Sequence, residues 1–249
     1  MLKALLHRKL GRVVVGVAEG DGDAEDTASD GLTEREDPLT STVFERLAYL
    51  PPDVVWEILR RASKPVGDGP RLPAAPPRGA PSWLFWPRLR PGELGLNKRR
   101  VEPDVVVSWG DTVILIEAKH RGLQDPVQWV EQIRAVREAP AHAGKQVWLF
   151  AVGGIVLHES SGYFDQVRGE LGDDLPGLLE MRWEDLREVL HSLDELTSSS
   201  GHAEIVHDIA AGLEAWGYRR KTSFSSLADV AARLRIKTAP SALQDWRNR

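Results

Sequence analysis

Three side chains in one short stretch have the types and spacing to do chemistry. Residues 103–119 read PDVVVSWGDTVILIEAK, with Asp104, Glu117 and Lys119 at the ends of two apolar runs. The runs, Val105-Val106-Val107 and Thr112-Val113-Ile114-Leu115-Ile116, are β-branched and flank Ser108-Trp109-Gly110-Asp111, which is turn chemistry. A β-hairpin is expected. If the loop pairs Val107 with Thr112, or closes more tightly with Ser108 opposite Asp111, Asp104 falls opposite Leu115 in either case. Residues two apart share a face, so Leu115, Glu117 and Lys119 project to the same side as Asp104. Asp104 then lies diagonal to Glu117, roughly 7 Å away at the backbone, a gap that two carboxylates can close around one ion. A three-residue loop or a bulge would break this parity.

Two carboxylates held together at the end of an apolar strand repel each other, and each is costly to bury alone. A divalent cation resolves the conflict. Carboxylate oxygens, a backbone carbonyl and waters are the hard donors that Mg²⁺ or Mn²⁺ prefers, and a chain without cysteine has no thiolate zinc site. Lys119 could orient an attacking hydroxide or offset charge on a pentacovalent phosphate. The plain alternative is a hairpin that ends in a surface Glu and Lys.

Pro103-Asp104, a spacer and then Glu117-Ala118-Lys119 resembles the PD-(D/E)xK signature of the restriction-endonuclease-like nuclease superfamily. The resemblance implies an α/β fold: a mixed central β-sheet flanked by helices, with the signature on the second and third core strands. It implies Mg²⁺- or Mn²⁺-dependent endonuclease cleavage of nucleic acid, DNA favoured over RNA, in a setting such as defence or repair. Asp104 and Glu117 become metal ligands, the carbonyl of Ala118 a further ligand, and Lys119 the residue that assists the attacking water. The helix before the core strands often adds an acid in this family, which by position makes Glu45 the candidate and Glu57 the alternative. The helix after the third core strand often adds a polar residue, here Gln128. A homodimer or a partner chain in a larger system fits relatives that cut both strands. The competing reading is a catalytically inactive nucleic-acid-binding or protein-interaction module on the same fold.

The elements that must position these residues follow from patterning. Asp37-Pro38 is expected to open a helix over 37–50 with Leu39, Val43, Leu47 and Leu50 as its apolar stripe and Glu45 well off it. A second helix spans 53–62. Residues 63–81 are rich in Pro and Gly and are expected to lack regular structure. Residues 83–89, WLFWPRL, read as the first core strand, with Pro87 marking an edge or bulge and Trp83, Phe85 and Trp86 as core rather than base-stacking aromatics. Asp125-Pro126 opens a helix to about 138, on which Gln128 and Gln132 are four apart and share a face. His120 must point away from Lys119 and is read as structural. Residues 146–152 form a continuous apolar strand for a buried sheet interior, ended by Gly153-Gly154, with 155–158 continuing it or pairing with it. A helix at 163–171, a strand at 178–183 and helices at 184–193 and 202–216 follow.

At 249 residues, 42% hydrophobic and 28% charged, the composition is that of a soluble globular protein. No apolar run approaches the roughly 20 residues of a membrane span, so no membrane partner is expected. Zero cysteines and a poor signal-peptide pattern at the start fit a cytoplasmic location. The net charge of −5 is unevenly spread: residues 18–37 hold nine acids and one base, which leaves the remainder at +3. Between Arg78 and Arg100 six bases face one acid. Arg88, Arg90, Lys98, Arg99 and Arg100 are thus expected to form a phosphate-facing stripe that leads into the hairpin, the alternative being a solvated charge run with no ligand. The expected organisation is an N-terminal segment with an acidic mobile loop over 1–37, a nuclease-like core over 38–195 and a C-terminal helical extension over 196–249, with a possible short helix at 1–9, a strand at 12–17 and a helix near 227–234.

Overall fold

The computed structural model describes residues 36–90, 101–155, 160–172, 177–197 and 202–219, all within one compact unit that ends at Arg219. The elements expected at 1–9, 12–17 and 227–234, most of the acidic segment, residues 156–158 and the bases Lys98, Arg99 and Arg100 lie outside the described residues.

Two helices come first, α1 (Glu36–Leu47) and α2 (Pro52–Ala62). The strands are β1 (Ser63–Pro65), β2 (Ser82–Phe85), β3 (Val105–Trp109) and β4 (Thr112–Ala118). After them come α3 (Pro126–Glu138), β5 (Gln146–Val152), α4 (Ser160–Leu171), β6 (Gly177–Met181), α5 (Trp183–Thr197) and α6 (Ala203–Ala215). The strands form one open mixed sheet in the order β1-β6-β5-β4-β3-β2. The central trio β4, β5 and β6 is parallel, linked through α3 and α4, while β1, β3 and β2 run antiparallel to their neighbours. No helix among the described residues is long and apolar enough to cross a membrane.

Alternation along the strands feeds two cores. Val105, Val107, Ile114, Ile116, Phe150 and Leu179 pack toward α1, α2, α5 and α6. Val106, Val113, Leu115, Leu149 and Leu178 pack toward α3 and α4, against Trp129, Ile133 and Val167. β5 is buried from Val147 to Val152, as a parallel strand covered on both faces must be. Asp125 caps α3, accepting from Val127 N–H at 2.9 Å.

The hairpin closes in a register shifted by two residues from the expected one. Trp109 pairs with Thr112 and Val105 with Ile116, so only Gly110 and Asp111 make the loop. Gly110 takes φ 57° at the first loop position, where two-residue hairpins favour glycine. Trp109 belongs to the strand because its ring is wholly buried, edge-on to Trp56, with Nε1 donating to Gly79 O at 2.9 Å. The shift is by two, so the parity of faces survives, and the register carries Asp104 opposite Glu117 rather than Leu115.

Other boundaries also differ from expectation. α1 starts at Glu36 and stops at Leu47, with Leu50 N–H closing a turn onto Leu47 O. Ser63–Pro65 is an edge strand inside the segment expected to be irregular; its prolyl residue is tolerated at the sheet's rim. That strand makes the signature strands third and fourth in chain order. The aromatic strand is shorter than expected because Trp86 adopts φ 46° and turns the chain; it is the other edge, as Pro87 implied. Phe85 and Trp86 are buried, and half-buried Trp83 stacks on Phe85. Trp183 begins α5 instead of ending β6. Helix α6 packs on α1 and α5, supplying Val206, Ile209 and Leu213 to the larger core.

A candidate two-carboxylate site

Asp104 sits just before β3 and Glu117 one residue before the end of β4, so adjacent antiparallel strands bring the two acids face to face. Asp104 is pinned from both ends. Its carbonyl accepts from Trp86 N–H at 2.9 Å, and its Oδ2 accepts from Ala118 N–H at 2.8 Å. Glu117 is 2% exposed, a depth at which a carboxylate needs partners. It has three. Lys119 Nζ and Gln128 Nε2 donate to Oε1 at 2.7 and 2.9 Å, and Gln132 Nε2 donates to Oε2 at 2.6 Å. The two glutamines lie one helical turn apart on α3 and present the same face to the sheet. The i, i+4 spacing was the visible signal; that Gln132 as well as Gln128 reaches Glu117 depends on how α3 docks on β4.

The electrostatics are those of a crowded acid pair. Burial, and then the Glu117 charge, push the Asp104 carboxyl well above the usual carboxylate range; Asp37 adds to this, while the Ala118 N–H and Lys119 act the other way. Asp37, expected with Pro38 to open the first helix, lies within α1 with Oδ1 accepting from Trp86 Nε1 at 3.1 Å.

Glu45 lies two turns further along α1. It is 8% exposed, because α1 is covered on two sides: the main core on one, and α6 on the other, where Arg46 meets Asp208 at 3.6 Å. Ser41 donates to Glu45 Oε1. The described residues do not group Glu45 with Asp104 and Glu117, and no three His, Asp or Glu side chains among them converge as metal ligands. Glu57 is occupied on α2, where Arg60 donates to both of its oxygens at 2.9 and 2.8 Å. The protein donors available to a cation are therefore Asp104, Glu117 and the backbone at Ala118. That set fits Mg²⁺ or Mn²⁺, which bind through one or two carboxylates and keep several waters. Burial and the neighbouring Glu117 charge hold the Asp104 carboxyl up, a balance that a bound cation would relieve, and the fully buried Gln132 Oε1 has no hydrogen-bond partner among the described residues.

A second residue that sequence reading missed is Gln124. Its side chain is buried at the ends of β4 and β5, with Nε2 donating to Glu117 O at 3.1 Å and Gly153 O at 3.0 Å while Oε1 accepts from Trp129 Nε1 at 2.9 Å. It ties the backbone of Glu117 to the neighbouring strand. No sequence pattern marks it. Lys119 is fixed likewise: its N–H donates to Val152 O at 2.7 Å and its carbonyl accepts from Trp183 Nε1 at 2.8 Å. Gly153, at φ 66°, lies so close that a Cβ there would come within 2.2 Å of Lys119 O. His120 points to the opposite face and packs between Trp216 and Tyr218.

Of the expected basic stripe, Arg88 and Arg90 are exposed near the hairpin's entrance, and Arg88 lies 3.5 Å from Glu102. The chain matches no family model, no curated protein and no solved structure.

Proposed function

We propose that the chain is a metal-dependent endonuclease of the PD-(D/E)xK kind, hydrolysing phosphodiester bonds of nucleic acid, DNA favoured. The observation that carries this reading is the opposition of Asp104 and Glu117 across β3 and β4 with Lys119 Nζ 2.7 Å from the Glu117 carboxylate. The mixed sheet flanked by helices, with the motif on adjacent antiparallel strands, supports it. Asp104, Glu117 and the Ala118 carbonyl would hold Mg²⁺ or Mn²⁺. Such an ion supplies Lewis-acid neutralisation of phosphate oxygens and makes water a better nucleophile.

The chain's own residues do the rest. Lys119 places a positive charge where negative charge grows on phosphorus, inside a site that excludes most water. Gln128 and Gln132 fix the Glu117 carboxylate in one orientation so that it need not reorganise during reaction. Gln128, only half-buried, has a second amide hydrogen to offer a phosphate or the attacking water. Arg88 and Arg90, together with the bases at 98–100, would take the flanking phosphates and set the strand's direction.

A second reading rests on the completeness of Glu117's hydrogen bonding: with Lys119, Gln128 and Gln132 already in place, the chain could bind nucleic acid or a protein without cutting. One assay separates the two. Labelled duplex DNA, single-stranded DNA and RNA are incubated with wild type and Lys119→Ala in Mg²⁺, Mn²⁺ or EDTA. The nuclease reading requires metal-dependent cutting of at least one substrate that is lost in the variant. Intact substrates under every condition leave the binding module.

A further inference from the structure

A cleft of about 460 Å³ lies at the end of the sheet remote from Lys119. Gln146 and Gly177, the first residues of β5 and β6, are part of its lining. Gln146 pairs with Thr112, five residues before Glu117, so the cleft is about 17 Å along the strands from the acid pair. Its charge is one-sided. Among the described lining residues, Arg137 at the end of α3, Lys145 just before β5, and Arg168 on α4 stand against one acid, exposed Asp68. Arg168 is held by its guanidinium stacking on the Phe164 ring, 4.7 Å from the centroid. Neither Lys145 nor Arg168 forms an ion pair among the described residues.

We infer that this cleft binds a phosphate-bearing ligand of about nucleotide size. The volume falls in the range of small-molecule sites, about 300–1,000 Å³, and is far larger than one ion needs. Among the described lining residues three cations stand against one acid, and Lys145 and Arg168, neither in an ion pair there, suit the dianion of a phosphate monoester better than a single carboxylate. Two of the three are arginines, whose planar forks suit phosphate oxygens. The apolar part of the lining, with Phe164 and Val147, can take the body that carries the phosphate. None of these residues belongs to the Asp104–Glu117 site, so the inference stands apart from the nuclease reading.

The test is calorimetric titration of the full chain in EDTA and low salt. The probes are inorganic pyrophosphate, 5′-AMP, and a ten-nucleotide single strand with and without a 5′-phosphate. The expected result is saturable binding of pyrophosphate or AMP that weakens at least tenfold in Lys145→Glu/Arg168→Glu and is unchanged in Asp104→Asn. Both reversed residues lie at the surface, and retention of the melting transition shows that the double variant folds. If it does not, Lys145→Gln/Arg168→Gln is expected to weaken binding at least threefold. AMP bound without the phosphorylated strand assigns a free nucleotide, and both bound assigns a phosphate that a strand terminus can also supply. The inference is overturned if neither small probe binds, if binding is the same in the charge variants, or if only the strands bind and do so regardless of the 5′-phosphate.

Discussion

Removing one charge from the acid pair should make the metal-free protein more stable while destroying its proposed chemistry. In Asp104→Asn the side-chain oxygen can still accept from Ala118 N–H, as Oδ2 does at 2.8 Å, so the loop before β3 keeps its anchor. What is lost is the cost of burying the Asp104 charge and, with it, repulsion from Glu117; the repulsion alone can be sized. Directly opposed residues have Cβ atoms about 5 Å apart, and two unit charges at that distance repel by about 3 kcal/mol at an effective dielectric of about 20. Lys119, bonded to Glu117 at 2.7 Å, cancels part of this, and a net of about 1–2 kcal/mol remains. For a chain of this size that is about 3–6 °C in Tm.

The pH dependence has a definite sign. The folded Asp104 carboxyl is raised above its unfolded value, so the stability it contributes is complete below the unfolded value and is lost as pH rises through the folded one. Differential scanning calorimetry in EDTA should therefore show little difference between wild type and variant near pH 4 and a growing advantage for the variant toward pH 8. A variant equally or less stable at pH 8 would refute the crowded-pair reasoning.

Other perturbations have graded effects. Gln132→Leu removes the 2.6 Å bond to Glu117 Oε2 and leaves a buried carboxylate short of a donor; a loss of about 1.5–3 kcal/mol by urea denaturation is expected. Gly153→Ala forces a Cβ toward Lys119 O at a positive φ, and should lower Tm and depress any cleavage together, since Lys119 must move; an unchanged Tm would show that the turn relaxes freely. Leu115→Ala empties a fully buried position between β4 and α3 and should cost about 2–5 kcal/mol by urea denaturation; an unchanged midpoint would show that α3 does not rest on β4 there.

How much of this could be read from residues alone follows from what each feature depends on. The hairpin, its two faces and the convergence of Asp104, Glu117 and Lys119 are encoded within seventeen consecutive residues by β-branched runs and alternation, and they are present in the structure. The register is not local. It turns on Trp109, whose indole is secured by Trp56 and Gly79, both outside the stretch. Burial of Glu45 depends on α6 lying across α1, about 160 residues away in sequence, and nothing on α1 announces that cover. Gln128 and Gln132 show the opposite balance: their shared face follows from spacing, but their common target needs the parallel crossover from β4 through α3 to β5. Gln124 bonds to backbone carbonyls, a role with no residue pattern. Ser63–Pro65 was hidden because Lys and Pro do not look like a strand; only pairing with β6 makes it one.

The claim on which all of the chemistry rests is that Asp104 and Glu117 share one divalent cation. Titrating Mn²⁺ into the protein and following the loss of its free electron paramagnetic signal tests this directly, with wild type, Asp104→Asn and Lys119→Ala side by side. One site per chain is expected in wild type, with its loss in Asp104→Asn and its retention in Lys119→Ala, because Lys119 is proposed to assist the reaction and not to ligate. Binding that survives Asp104→Asn undiminished, or no binding in wild type, would contradict that claim.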